Sequence, residues 1–381
     1  MLFLIGTTAR AAEMCVNSSA LLQAALSFGQ SQQSNYTIKI VQGVYSLDFN
    51  GAAYFGFTFS APTTIEGGYN ANCTARVVNA ANTSVDFGGA ATEVTFEQLG
   101  GNPTALLAFD GMTLKHGGRL VLHAGLQGQI SDDPGSVHLS NLRFTDFNNT
   151  DTSTGQRNFP LSMLSHAAEM RLENVQIDHI VQQNGTTSCA IELQSDEDSQ
   201  MRLIGTTIDL SNSKKLCFGT WISSGDYVVD IYNSIVWGSD GGVPQIATGD
   251  NFHVASSFVI HVVNSLFNDP VSGVASVQII NPLHTDPQWT NGAAGNYHLL
   301  NTSPAVNSGT PVVPNGGLEA TDIEGNARWI GSMPDRGAYE SPFNDATNYQ
   351  VTTTADSGAG SLRDAITQAN SLPNPGVITF A

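Results

Sequence analysis

Charge is scarce in this sequence. Lys, Arg, Asp and Glu make up only 12% of its 381 residues. That is too few to line the wet faces of long helices, which draw on Glu, Lys and Arg. Bases are scarcer than acids, 14 against 33, for a net charge of −19. Such a surface repels phosphate backbones and excludes nucleic-acid binding from the expected functions. It also favours solubility and attracts divalent cations, although simple solvation explains it as well. No apolar run approaches the roughly eighteen residues that cross a bilayer, so no membrane span is expected. The four cysteines, Cys15, Cys73, Cys189 and Cys217, form no CxxC pair and have no His at metal spacing, which argues against zinc. The nucleophile elbow of Ser-His-Asp catalysis is missing too. So is a basic leader ahead of the short apolar start, Met1 to Gly6, yet Ala9-Arg10-Ala11 has the small-x-small form of a signal cleavage site. Residues 1–12 therefore read as a signal-peptide remnant, with either the gene start misplaced or the sequence a fragment, and a disordered N-terminus as the alternative. An even cysteine count in an exported chain favours two disulfides over buried free thiols.

Gly, Asn, Ser and Thr are plentiful, and 41% of the chain is hydrophobic, a balance suited to strands and turns. Self-similarity gives the architecture. AFDGMTL (108–114), HLSNLRF (138–144), RLENVQI (171–177), RLIGTTI (202–208), DIYNSIV (230–236) and HVVNSLF (261–267) centre on Gly111, Asn141, Asn174, Gly205, Asn233 and Asn264, at intervals of 30, 33, 31, 28 and 31. At offsets −4, −2, +1 and +3, 21 of 24 residues are apolar, and the others are Thr206, Ser234 and Ser265. The interleaved offsets −3, −1 and +2 are mostly polar, so a strand period of two buries one face and wets the other. Alternation slips by one residue at each centre, which marks a bend between two short strands. Asn and Gly tolerate the left-handed backbone such a bend needs. Stacked on successive coils, Asn141, Asn174, Asn233 and Asn264 form a structural ladder. The predicted fold is an all-β, right-handed parallel β-helix of about thirty residues per coil, with roughly nine coils between residues 36 and 300.

Solenoid ends need covers. SSALLQAALSF (18–28) has a helical stripe of Leu21, Leu22, Ala25 and Leu26, and reads as a lid on the first coil. GSLRDAITQAN (360–370) repeats the device, with a Ser361-x-x-Asp364 capping box. The expected organisation is the signal remnant at 1–12, a β-helix with a C-terminal capping motif at 13–343, and at 344–381 a linker with the truncated start of a second β-helix module. Cys15 precedes the lid and Cys73 lies in an early coil, so a bridge between them would pin the lid. Cys189 and Cys217 are one coil apart and should stack near bridging distance. Two free thiols remain the alternative.

Residues 281–340 carry Asp286-Pro287, Asn296-Tyr297-His298-Leu299, SPAVNSG (303–309), DIEGNAR (322–328) and DRGAYE (335–340). This series resembles the C-terminal signature of bacterial β-helix proteins of the choice-of-anchor Q type, with Asn307 in place of the usual Asp and Arg336 in place of an apolar residue. IEGGYN-x-x-C-x-x-R (65–76) and residues 351–381 extend the likeness over most of the chain. The resemblance implies a pectin-lyase-like β-helix that is exported, often with a C-terminal sorting anchor. It implies no reaction, because the family shares none. From the residues alone, the tail is expected to cap the last coil, with Tyr339 covering it and Asp335 pairing with Arg336.

β-helices often act on acidic polysaccharides, so paired carboxylates and stacked bases are candidate catalytic groups. Asp178 and Asp209 share offset +4 in adjacent coils, where stacked carboxylates either raise a pKa or recruit calcium. Arg171 and Arg202 stack at offset −3. The competing reading is a solvated face with local Arg171–Glu173 pairing. Asp132-Asp133, Asp196-Glu197-Asp198 and Asp322-x-Glu324-x-Asn326 read as turns rather than metal loops, and His116, His138 and His261 as surface residues. The expected function is a non-catalytic secreted or cell-surface scaffold, adhesin-like or carbohydrate-contacting, and monomeric. The alternatives are a polysaccharide lyase or glycoside hydrolase working in a groove along the helix, and a purely structural spacer. No cofactor is expected, with calcium as the one candidate.

Overall fold

The computed structural model describes residues 12–49, 52, 54–89, 93–99, 105–125, 134–149, 160–166, 168–182, 189–196, 199–211, 215–219, 226–238, 246–248, 257–268, 276–314, 317–342, 348–370 and 377–381. Residues 1–11, Asp132, Asp133, Glu197, Asp198 and 343–347 lie outside that set.

Ten strands stack in parallel as the first face: Ala12–Val16, Tyr36–Val41, Thr63–Tyr69, Ala105–Lys115, Gly135–Thr145, Glu169–Asp178, Ser199–Ile204, Asp226–Tyr232, Ser257–Val263 and Ser276–Ile280. A second parallel stack continues past the bend, from Gly43–Ser46 to Leu266–Phe267. The third runs from Tyr54–Phe59 through Arg119–Ala124 and Cys189–Asp196 to Ile246–Thr248. One chain winding through three parallel faces makes a parallel β-helix. Every one of the 24 inward positions is at most 2% exposed. Four such side chains per coil contribute about 6–12 kcal/mol, at roughly 1.5–3 each.

The bends are left-handed at all six centres, with φ 71° at Gly111, 52° at Asn141, 51° at Asn174, 56° at Gly205, 49° at Asn233 and 44° at Asn264, and a seventh follows at Asn281 with φ 50°. In the coils of Ala105–Lys115, Gly135–Thr145 and Glu169–Asp178 one strand runs straight through the bend. From the coil of Ser199–Ile204 onward the strand breaks there. The three inward hydroxyls sit at those breaks. Thr206 N–H donates to Ser234 Oγ at 3.1 Å, and Ser234 N–H to Ser265 Oγ at 3.1 Å. A hydroxyl that both donates and accepts satisfies buried backbone where the strand ladder lapses.

Helix α1 (Ser19–Gly29) covers the N-terminal end of the core, capped by Ser18, whose Oγ accepts from Leu21 N–H at 3.3 Å. Leu22, Ala25, Leu26 and Gly29 are its buried residues, while Leu21 turns out to solvent at 38% exposure. The structure joins Cys15 to Cys73 and Cys189 to Cys217. Near the C-terminus, Asn348–Val351, helix α2 (Leu362–Asn370) and Val377–Phe380 form a strand–helix–strand unit whose two strands pair in parallel. Ala12–Val16, α1 and Tyr36–Val41 form the same unit at the start of the chain.

The tail from residue 303 does not cap the last coil. It is a strap that runs back along the bend, passing the coils in reverse order. Asn264 Nδ2 donates to Ser308 O (3.2 Å), Asn233 Nδ2 to Thr310 O (2.8 Å), Arg202 to Pro314 O, and Asn174 Nδ2 to Thr321 O (2.7 Å). Ala80 N–H then donates to Ile323 O at 3.0 Å. A second pass follows. Arg336 Nη1 donates to Ser265 O at 2.8 Å, Gly337 N–H to Asn233 O at 2.7 Å, and Ala338 N–H to Thr207 Oγ1 at 2.9 Å. Tyr339 Oη donates to Gln176 Oε1, so it lies beside a central coil. An extended chain advances at most about 3.3–3.6 Å per residue, roughly three-quarters of the ~4.8 Å between stacked strands. At one residue per coil the backbone falls short, and the long side chains of Arg336 and Tyr339 make up the difference at the two ends.

Candidate functional site

The strap changes the flank that the repeat presents as polar. Glu173 is 1% exposed and Gln176, Asp178 and Arg202 are each 0% exposed, so this row is covered rather than wet. Registration of Gln176 with Thr207 and Ile177 with Ile208 makes Asp178 and Asp209 neighbours. Each is held by other groups. Arg143 forks onto Asp178 through Nε at 3.0 Å and Nη2 at 3.1 Å, Thr145 Oγ1 donates to it at 2.6 Å, Gln176 Nε2 also donates, and His179 Nδ1 lies at 2.5 Å. Asp209 accepts from Tyr297 Oη at 2.6 Å and from Ser211. Burial and the Asp209 contact raise the Tyr297 pKa far above its ordinary value. Burial alone would lower the Arg143 pKa, but the hydrogen bonds and charge of Asp178 outweigh it and raise it. Among the described residues, no three His, Cys, Asp or Glu side chains gather as metal ligands.

Arg171 and Arg202 are registered neighbours. Arg171 Nη2 lies 2.6 Å from Glu173, whose carboxyl is pushed up by burial despite that partner. Arg202 pairs with Glu169 at 3.5 Å and reaches the strap. The asparagine ladder is continuous only in part. Asn174 Nδ2 donates to Asn141 Oδ1 at 3.1 Å, and Asn141 Nδ2 to Asp110 at 2.9 Å. Gly205 interrupts it, because a Cβ there would lie 2.6 Å from Arg328 Nη2. Asn233 bonds the strap instead, accepting from Thr310 N–H at 2.7 Å.

The tail motifs build a buried latch. Asp322 and Asp335 are each 0% exposed, Arg328 2% and Glu340 4%. Asp322 Oδ1 accepts from the backbone of Glu324 and Asn326, and Oδ2 from that of Glu340. Arg328 Nη2 donates to Gly337 O at 2.6 Å. Burial pushes the Asp335 carboxyl up and that of Glu340 up to about 7, and lowers the Arg328 pKa. Arg336 does not pair with Asp335. It donates to the carbonyls of Ser308, Ser265 and Asn281, and burial pulls its pKa down to about 10.

Among the described residues, this flank has a cleft of about 230 Å³ where the Trp289–Asn291/Asn296–Leu299 hairpin, the strap and the coil side converge. Asn79, Thr113, Arg143, Asn296, His298 and Glu324 give it polar walls, and Ala80, Ala81, Ile323 and Tyr339 line the rest. His298 is held at both ring nitrogens, with Nδ1 at 2.7 Å from Asn296 Oδ1 and Nε2 at 2.9 Å from Glu324 Oε2. His298 N–H donates to the same Asn296 oxygen at 3.2 Å, which fixes the amide's orientation. Two acceptors require two ring N–H groups. The Glu324 bond accordingly raises the His298 pKa against burial, and the same bond lowers that of Glu324.

Histidines that look solitary along the chain face acids: His116 with Asp86 at 3.4 Å, His138 with Glu169 at 3.4 Å, and His261 with Asp230 at 2.8 Å. Sequence reasoning missed the cleft and missed Trp329, whose ring is 52% exposed while its Nε1–H donates to Gly331 O at 3.1 Å. No family model matches the chain, and no curated protein matches it.

Proposed function

We propose that this chain is an exported β-helix scaffold, secreted or at the cell surface, of the choice-of-anchor Q and pectin-lyase-like kind, and that it contacts carbohydrate without cleaving it. The observation that carries the non-catalytic half is the saturation of Asp178. Its carboxylate is buried and engaged by Arg143, Thr145, Gln176 and His179, so it is neither a free base nor a cation ligand. Two disulfides suit an oxidising compartment. The likeness of the tail gains weight because the DIEGNAR and DRGAYE residues build the latch.

The contact half rests on Trp329. A flat apolar ring held in water by its own N–H bond is a platform for the C–H face of a sugar. The strand–helix–strand unit at 348–381 has the same make-up as the one at 12–41. A glycan array probed with the intact chain tests the reading. Binding that Trp329→Ala abolishes supports it; an array without hits makes the chain a spacer instead.

A further inference from the structure

From the hairpin–strap cleft we infer a second carbohydrate contact, a subsite for one neutral sugar ring. This rests on the carbohydrate-contacting reading above. At about 230 Å³ the cleft has room for roughly seven waters, at ~30 Å³ each in the liquid, which is too many for a structural-water hole. It falls below the ~300–1,000 Å³ of pockets that hold larger ligands, so it suits a single ring rather than a chain.

The walls choose the chemistry. Each ion that faces the cleft has its counter-ion beside it, Arg143 with Asp178 and His298 with Glu324. Buried Asp322 lies behind Glu324, bonded to backbone. A charged ligand would find no uncompensated partner, whereas a neutral polyol needs only donors and acceptors. Those are present. Arg143 spends Nε and Nη2 on Asp178, and its Nη1 makes no bond among the described residues. Asn296 uses its oxygen on His298 and keeps its Nδ2 for a ligand. Ala80, Ala81 and Ile323 supply the apolar patch that a pyranose C–H face needs. The groups are already locked, so binding costs little side-chain ordering. His298 stands 4.4 Å, centroid to centroid, from the ring of Tyr339, which the strap pins to Gln176.

The test is saturation-transfer NMR and titration of the intact chain with free glucose, galactose, mannose, N-acetylglucosamine and galacturonate. Saturable binding of at least one neutral sugar is expected, with a dissociation constant on the order of 1 mM, galacturonate binding more weakly and the His298 ring signals shifting. Ala81→Trp, at an exposed position on the cleft wall, should weaken that binding at least about tenfold with the circular dichroism and melting temperature unchanged. If Ala81→Trp lowers the melting temperature, Ala81→Leu replaces it. Neutral-sugar binding that survives filling of the cleft, or no saturable binding at all, overturns the subsite. Array binding that depends on Trp329 and persists in either result leaves the broader reading standing. Loss of both kinds of binding removes both.

Discussion

At the scale of the residue, the bend positions show how one backbone requirement is met by different side chains. Asn233 and Gly205 share a left-handed φ, but Asn233 reaches the strap while Gly205 leaves room for Arg328. Asn233→Ala should lose about 2–3 kcal/mol in urea denaturation, from the left-handed penalty and two broken bonds. Asn233→Gly keeps the conformation and should lose only about 1–2 kcal/mol; equal losses would deny the backbone part. Gly205→Asn would complete the ladder by sequence logic, yet its Cβ meets the buried guanidinium at 2.6 Å. It should therefore destabilise the chain, by about 1–3 kcal/mol, and a stabilising result would contradict the placement of Arg328.

Much of this was legible beforehand. The inward rows follow from period-two alternation, and the bends from a slip at Asn or Gly. Glu173, Gln176 and Arg202 were misread as wet because alternation reports only which side of a strand a residue is on. It carries nothing about a segment more than a hundred positions later that lies over that side. The tail has no periodicity to read, being turns whose path is set by bonds to distant coils. Its motifs announced the Asp322–Glu340 latch as a set of turn residues, but not its position. The cleft needs three separated segments and left no local signal.

The strap is the element that most sets behaviour with pH. Glu340 titrates near 7 when folded, against an ordinary 4.5. Between those values the native state holds more protons than the unfolded one, so stability falls as pH rises from about 4.5 to 7. The raised His298 acts in the same direction, contributing fully below its ordinary 6.5 and losing its contribution as pH rises through its higher folded value. Glu97, Glu169 and Glu324 are lowered by the neighbouring His123, His138 and His298, and lose their contribution only as pH falls below the ordinary 4.5. Thermal melts from pH 4 to 9 should therefore show greatest stability in mild acid. Glu340→Gln should flatten the decline between 4.5 and 7; an unchanged profile would remove Glu340 as its source. The disulfides act at the same scale. Closing separations of 58 and 28 residues is worth about 4 kcal/mol each in the chain-entropy view, and commonly 2–4 in practice. Reductant should lower the denaturation midpoint, and Cys15→Ala with Cys73→Ala should speed amide exchange in α1 first.

Seen whole, the described residues form a stacked core with one of its polar flanks laced over by the C-terminal segment. An extended flank of a β-helix is where a polysaccharide could lie across successive coils. Here Arg202, Asn233 and Asn264 are bonded to Pro314, Thr310 and Ser308 instead. Among the described residues, what this flank leaves accessible includes a half-exposed indole and a one-ring cleft. The direct measurement is incubation of the intact chain with acidic and neutral polysaccharides, with and without calcium, reading both unsaturated products and new reducing ends. The account requires no product above a heat-denatured control under any condition. Calcium-dependent release of unsaturated sugars, or steady growth of reducing ends, would contradict it.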